Sequence, residues 1–341
     1  MSHREQIITQ FLTETNWRDA VRAPLAGDAS MRKYQRIGAG NDGSGAVLMD
    51  ADPALGNDVR AFIRITEYLR SIDLSAPDIF HVDETNGLLL IEDLGDALFA
   101  RVVLAEPALE TPLYKAATDV LLELHNATPP ALDPYDTPLM TKMAALAFDW
   151  YQHGAHAAVD LRAKHAFEIA FSALLDTHVD APSVLIQRDY HAENLLWLPD
   201  RQGIARVGLL DFQDALLGHP AYDLVSLLKD ARRDVSKAVE EAMIARYVAI
   251  SKTDDTAFRN AYHVLGLQRN LRILGVFARL SMHFGKPSYV DLIPRVWDHI
   301  QRDLDHQANA PVAEILNAAL PQPTPETLQR LKDKCATIPT L

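Results

Sequence analysis

At 341 residues the chain is long enough for two lobes with cores of their own, and 48% apolar with 23% charged residues is ordinary for a water-soluble globular protein. A formal net charge of −13 argues against nucleic acid as a partner, because a phosphate backbone calls for a basic surface. No apolar run approaches a bilayer span, MSHREQIITQFLTE lacks the apolar core of a signal peptide, and the single Cys335 leaves neither an internal disulfide nor a zinc cluster. A cytoplasmic enzyme, without membrane association or an obligatory protein partner, is the expectation.

The first residues read as a short amphipathic helix carrying Ile7, Ile8, Phe11 and Leu12. Short strands follow at 21–25, 31–37 and 46–49, then a helix over 59–69 with Phe62, Ile63, Ile65 and Leu69 on its sheet side, then strands at 79–82 and 88–92. Leu94-Gly95-Asp96 marks a change of regime. Beyond it the spacing predicts helices at 111–126, 139–153, 161–178, 220–231, 236–250, 254–284, 289–308, 311–319 and 325–334. The expected architecture is α+β: residues 1–93 form a small five-stranded antiparallel lobe with a packed helix, and residues 94–341 a larger, mostly helical lobe.

The segment LIQRDYHAENLLWLPDRQGIARVGLLDFQD, residues 185–214, interrupts the helical pattern. Its apolar runs at 195–198 and 207–210 flank the turn-rich 199–203 and read as a β-hairpin. A hairpin brings its two ends together, so Asn194 entering it and Asp211 leaving it should be neighbours. Two converging oxygen donors suit a small hard cation such as Mg2+, which takes few protein ligands and completes its shell with phosphate and water. Asp189 lies on the loop just before. Any one of these residues alone is ordinary loop chemistry, since Asp and Asn bond their own backbone. Order, spacing and intervening strands together are not.

Gly38, Gly40 and Gly43 spell G-x-G-x-x-G, but that fingerprint must open a helix, and here it leads into the strand at 46–49. A hairpin loop is the better reading. The turn Ala26-Gly27-Asp28-Ala29-Ser30 is the stronger phosphate-cradling candidate, because small residues let backbone N–H groups approach phosphate oxygens.

Taken together, GDASMRKY, VLMDA, LLIEDLG, RDYHAENLLWL, LLDFQDALLGHPAYDLVSLLKDAR and LQRNLRILGVFARL resemble the protein-kinase-like phosphotransferases of the aminoglycoside/choline type. Within them they are similar to bacterial kinases of the anomeric hydroxyl of N-acetylmuramate and N-acetylglucosamine in cell-wall recycling. The resemblance covers roughly residues 20–310 and implies ATP and Mg2+ as cofactors and a small amino sugar as substrate. It implies that Asp189 accepts or orients the proton of the attacking hydroxyl, and that Asn194 and Asp211 hold the metal against the nucleotide phosphates. Gly27, Asp28, Ala29, Ser30 and Arg32 would meet the nucleotide phosphates, and Glu92 and Leu94 the adenine through their backbone. His191, Glu193, Gln213, Asp214, Arg269 and Arg272 are the acceptor-site candidates, the two arginines because an Arg fork grips a lactyl carboxylate. Asp223 resembles the buried aspartate that braces the catalytic loop, but reads equally as an acid at a helix N-terminus, and stays outside the catalytic set.

Two positions depart from the protein-kinase pattern. Gln213 stands where those enzymes carry the Gly of Asp-Phe-Gly, and the third strand has no Lys. Arg32, Lys33 or Arg36 from the second strand is expected to replace that Lys, with Glu67 as a candidate partner. The competing functions are an aminoglycoside, choline or other sugar kinase of the same fold, and a nucleotide-binding regulatory module without catalysis. The missing strand Lys favours the module; the set Asp189, Asn194 and Asp211 opposes it. A metallohydrolase seeded by Asp189-Tyr190-His191 would need further ligands at recognisable spacing, and the other histidines are scattered.

Overall fold

A computed structural model describes residues 2–25, 32–40, 45–156 and 158–339. The backbone separates into two compact units, residues 1–120 with 192–215, and residues 121–191 with 216–341.

The first unit is built on an antiparallel sheet of order β1-β2-β3-β5-β4. Its strands are β1 (Arg22–Leu25), β2 (Lys33–Ile37), β3 (Ala46–Asp50), β4 (Ile79–Asp83) and β5 (Leu88–Glu92). All of β3 and the first four residues of β5 are buried, which is why both read as unbroken apolar runs, whereas edge strand β4 alternates. Helix α1 (His3–Thr13), capped where Ser2 accepts the Glu5 N–H, lays Ile8 and Leu12 on Trp17, Ile37, Leu48, Leu88 and Leu90. Each such side chain withdrawn from water contributes roughly 1.5–3 kcal/mol. Arg4 ties α1 to Asp50 of β3 at 2.6 Å. Helix α2 (Arg60–Ser71) buries Phe62, Ile65, Thr66 and Leu69, a stripe at three- and four-residue spacing. Helix α3 (Phe99–Ala105) follows, and α4 (Glu110–Asn126) runs from this unit into the next.

The second unit continues through α5 (Thr137–Ala144), a π-helical turn over Ala147–Gln152, α6 (His153–His156) and α7 (Leu161–His178). Strand β6 (Val184–Ile186) then leads out of it. The chain returns to the first unit for the expected hairpin, β7 (Leu195–Trp197) against β8 (Val207–Leu209), antiparallel with Leu195 opposite Leu209. Ser75 clamps it there, its carbonyl accepting the Leu209 N–H at 2.9 Å and its hydroxyl donating to the Ala205 carbonyl at 2.7 Å. Gly208 is dictated by this packing, since a Cβ would press within 3.1 Å of both Leu196 and Leu94.

Back in the second unit, β9 (Leu216–Gly218) pairs antiparallel with β6. Helices α8 (Ala221–Leu228), α9 (Lys237–Ser251), α10 (Asp255–Met282), α11 (Ile293–Leu304), α12 (Ala310–Ala319) and α13 (Pro325–Asp333) complete it. The 28-residue α10 is the axis of this unit, packing on α5, α8, α11 and the π-helical turn. Among the described residues no helix is long and apolar enough to cross a membrane.

Candidate active site

The candidate metal-binding residues lie in the first unit. The hairpin delivers its two ends as the sequence demands: the Leu210 N–H donates to the Asn194 carbonyl at 3.0 Å, and the Asn194 Nδ2 stands 3.5 Å from Asp211 Oδ2. Asp211 is exposed and held at φ +56°, a left-handed conformation that Asp tolerates better than most residues. Phe212, fully buried and stacked on Phe62 of α2 at 5.1 Å, anchors the turn that imposes it. Gln213, also buried, donates from Nε2 to Asp211 Oδ1 at 2.7 Å. Among the described residues no cluster of three or more His, Cys, Asp or Glu side chains forms a metal cage. One carboxylate and one amide fit a hard cation that draws its remaining ligands from phosphate and water, with the Asn194 amide turned to present its oxygen.

Around this pair, Tyr34 of β2 feels Arg32 and Asp211 together; burial pushes its hydroxyl up to about 12. Arg32 and Asp211 thus both act on the Tyr34 hydroxyl. Arg36 is committed elsewhere, to Asp93 at 2.6 Å and Asp96 at 2.8 Å, while Lys33 and Glu67 are exposed. Of the three cations that might replace the missing strand Lys, Arg32 keeps the right company. Gly27, Asp28, Ala29, Ser30 and Gly43 lie outside the described residues. At the end of β5 the Glu92 N–H donates to the Asp78 carbonyl at 2.8 Å, and the Glu92 carboxylate holds Arg201. Among the described residues nothing bonds the Leu94 N–H or carbonyl, so that backbone is open to a ligand.

The candidate catalytic-loop residues lie in the second unit. Asp189 is half-buried; burial pushes its carboxyl up, but Arg272, Arg269, His191 and Arg188 outweigh it and hold the group below the ordinary aspartate value. His191 is buried, lies 3.3 Å from an Arg232 nitrogen, and is pushed down to about 4 by burial, so it is neutral near pH 7. Arg269 is 3% exposed and its Nε and Nη1 have no hydrogen-bond partner among the described residues. Asp223 is fully buried and accepts the Gln187 N–H at 2.6 Å and the Arg188 N–H at 2.9 Å.

Residues 21–261 match the model of the phosphotransferase enzyme family, known as APH. The chain belongs to that family. The phosphotransferase is 39% identical over 336 residues to the N-acetylmuramate/N-acetylglucosamine kinase of Caulobacter vibrioides, covering 88% of this chain and 92% of that protein. It is 33% identical to the protein of the same name from Pseudomonas putida, over 80% of each chain. The solved choline kinase LicA from Streptococcus pneumoniae superposes with a TM-score of 0.58 over 97% of this chain and 100% of that one, at 12% identity. The α+β, protein-kinase-like fold expected from the sequence is therefore the fold of this phosphotransferase.

The remaining candidates divide by unit. Arg32, Glu92, Leu94, Glu193, Asn194, Asp211, Gln213 and Asp214 belong to the first, with Glu193 and Asp214 exposed; Asp189, His191, Arg269 and Arg272 belong to the second. Sequence reasoning passes over Asp230, which is buried beside this group: Oδ1 accepts the Arg232 N–H at 2.8 Å, and its charge acts on both His191 and Arg269. It also leaves Asp223 undecided. The missed signal is in α8, where the two turns of AYDLVSLL carry a single acid among mostly apolar residues, and a helix buried on every side must bond any acid it contains.

Proposed function

We propose that this phosphotransferase moves the γ-phosphoryl group of ATP onto a sugar hydroxyl, most specifically the anomeric hydroxyl of N-acetylmuramate and N-acetylglucosamine. The observation that carries the reading is the 39% identity, across nearly the whole of both chains, to a protein named for those substrates. The side chains supply the chemistry that such a transfer requires.

Asn194 and Asp211 would hold Mg2+ on the nucleotide phosphates, and the ion supplies neutralisation of the charge that spreads over the transferring group. Arg32 would add a cation for the same phosphates. Leu94, with its open N–H, and the Glu92 carbonyl would take the adenine edge. Asp189 orients the acceptor hydroxyl and receives its proton as the new sugar-oxygen bond to phosphorus forms and the bond to the β-phosphate oxygen breaks, releasing ADP. Its depressed pKa keeps it ionised at neutral pH, ready to accept a hydrogen bond, and the neutral His191 beside it is able to bond a sugar hydroxyl. Asp223 holds the loop that carries Asp189. Arg269, buried with unused donors, and Arg272 would grip the lactyl carboxylate of N-acetylmuramate, while Glu193 and Asp214 would take hydroxyls.

In this reading residues 1–93 serve the nucleotide and residues 94–341 carry the catalytic loop and acceptor site, a division drawn by chemistry rather than packing. The enzyme would act in the cytoplasm, where ATP and recycled amino sugars meet, without a protein or nucleic-acid partner. The test is ADP formation by purified protein with ATP and Mg2+, offered N-acetylmuramate, N-acetylglucosamine, kanamycin and choline in turn. Turnover confined to the acetylated sugars is expected. Turnover on kanamycin or choline alone would overturn the substrate assignment.

A further inference from the structure

We propose that Gln213 is a positioning residue for the metal site, occupying by side chain a place that protein kinases leave to glycine. The proposal rests on the reading of Asn194 and Asp211 as metal ligands. A carboxylate offered to a cation has two oxygens and free rotation about its last bond, so which oxygen faces the metal is undetermined unless something holds the other. Here the amide of Gln213 donates from Nε2 to Asp211 Oδ1 at 2.7 Å, and Asp211 Oδ2 is the oxygen turned toward Asn194 at 3.5 Å. One oxygen is engaged by the neutral Gln213 donor; the other faces the Asn194 amide. Such outer partners of metal ligands fix orientation and typically change metal affinity about 10- to 100-fold when removed.

Three features make the hold rigid. Gln213 is only 6% exposed, so its amide is fixed by packing rather than by solvent. Phe212 between the two residues is completely buried and stacked on Phe62, which fixes the backbone from which both side chains depart. Asp211 itself sits at φ +56°, a strained setting that the Gln213 hydrogen bond helps to maintain. A neutral amide also suits this role, because a cationic donor in its place would draw charge from the carboxylate and weaken it as a ligand. Gln213, an acceptor-site candidate by sequence, is thereby assigned to the metal.

The test measures ADP affinity by calorimetry with and without Mn2+, so that the metal-dependent gain is read apart from catalysis. Gln213→Met keeps an unbranched chain of similar size and removes the donor; it should cut the Mn2+-dependent gain about tenfold or more. Metal-free ADP affinity and the melting temperature should stay at the wild-type values. Gln213→Ala, a second variant should methionine pack poorly, should show the same loss. An undiminished gain in a folded variant overturns the proposal, as does a loss that merely follows a lowered melting temperature. Asp211→Asn distinguishes the two possible failures: if it too leaves the gain intact, the metal reading itself fails and takes Gln213 with it.

Discussion

The carboxylate of Asp223 holds Arg188 in a conformation that Arg188 would not choose: its backbone N–H donates to Asp223 Oδ1 at 2.9 Å while its φ is +72°. A non-glycine residue in the left-handed region costs on the order of 1–3 kcal/mol unless its surroundings over-determine it. The second bond, from the Gln187 N–H at 2.6 Å, supplies that over-determination. The strained turn stands immediately before Asp189, so the orientation of the loop that carries this residue is set from the buried Asp223. Asp223→Ala leaves the buried Gln187 N–H and the part-buried Arg188 N–H without acceptors, at about 1–3 kcal/mol for the buried one. The variant should unfold at clearly lower urea concentration and lose turnover; a wild-type urea midpoint would show that the brace carries no load.

The same carboxyl makes a pH prediction. Burial pushes Asp223 up to about 7, against the two N–H groups that pull it down. A group whose folded pKa exceeds its unfolded value stabilises fully below the ordinary carboxylate range and loses that contribution as pH rises through about 7. Asp223→Asn removes the titration. The urea midpoint of wild type should therefore fall relative to that of the variant between pH 5 and pH 8; a constant offset would contradict the raised pKa.

Asp189→Asn should fold with an unchanged melting temperature and lose turnover on the order of 10²- to 10⁴-fold, the usual worth of a positioned base. The charges around Asp189 add a finer expectation. Arg272 is the largest of the influences that hold its pKa below the ordinary value, so Arg272→Met should move the acid limb of kcat/KM to higher pH. With a smaller acceptor that lacks a carboxylate, the shift is separable from any effect on binding.

Arg269 bears on the choice between substrates. Its buried Nε and Nη1 atoms have no protein partner among the described residues, and a charge-assisted bond to a carboxylate is worth roughly 1.5–3 kcal/mol. Arg269→Met should raise KM for N-acetylmuramate by roughly 10- to 100-fold and leave KM for N-acetylglucosamine, which has no lactyl group, far less affected. Equal losses on both sugars would remove Arg269 from carboxylate recognition.

How much of this is legible in the chain depends on the length scale of each signal. The helix α7 falls at residues 161–178, as its spacing predicts, because Asp160 caps its N-terminus and the apolar period runs uninterrupted. The five strands and the 195–209 hairpin are legible because turn residues punctuate them, and antiparallel pairing then brings Asn194 to Asp211. Strands β6 and β9, three residues each, are too short to carry a period and escape notice. So does α3, whose seven residues begin without a side-chain cap. The helix expected over 139–153 is broken by the π-helical turn at Ala147–Gln152, where Leu146 backbone packs against Gly275 of α10; only tertiary contact decides such a break. Side-chain partners are the least legible of all. Nothing in the order of residues tells that Gln213 bonds Asp211, or that Asp230 lies near His191.

A second group of deeply buried charges in the second unit joins α8 to α11. Lys229, directly after α8, pairs with Asp303 of α11, both essentially without exposure, and Lys229 Nζ lies 4.5 Å from the Tyr262 ring centre. His263 Nδ1 approaches the same Asp303 oxygen at 2.9 Å. Gly266 of α10 makes room for the pair, since a Cβ there would come within 2.5 Å of Asp303 Oδ2 and 2.6 Å of Lys229 Nζ. Removing one partner leaves the other charge stranded in a low-dielectric interior, at a cost of about 3–5 kcal/mol, whereas replacing both with apolar residues of similar size is often neutral or better. Asp303→Leu and Lys229→Met should each be strongly destabilising, and the double variant should be more stable than either one. Urea unfolding of the four proteins measures the coupling directly. If the double variant were as unstable as the sum of the singles, the pair would contribute nothing beyond two independent side chains. If it regained wild-type stability, the pair would matter chiefly for the position of α8, which carries Asp223, and turnover of the double variant would then report how far that helix sets the loop.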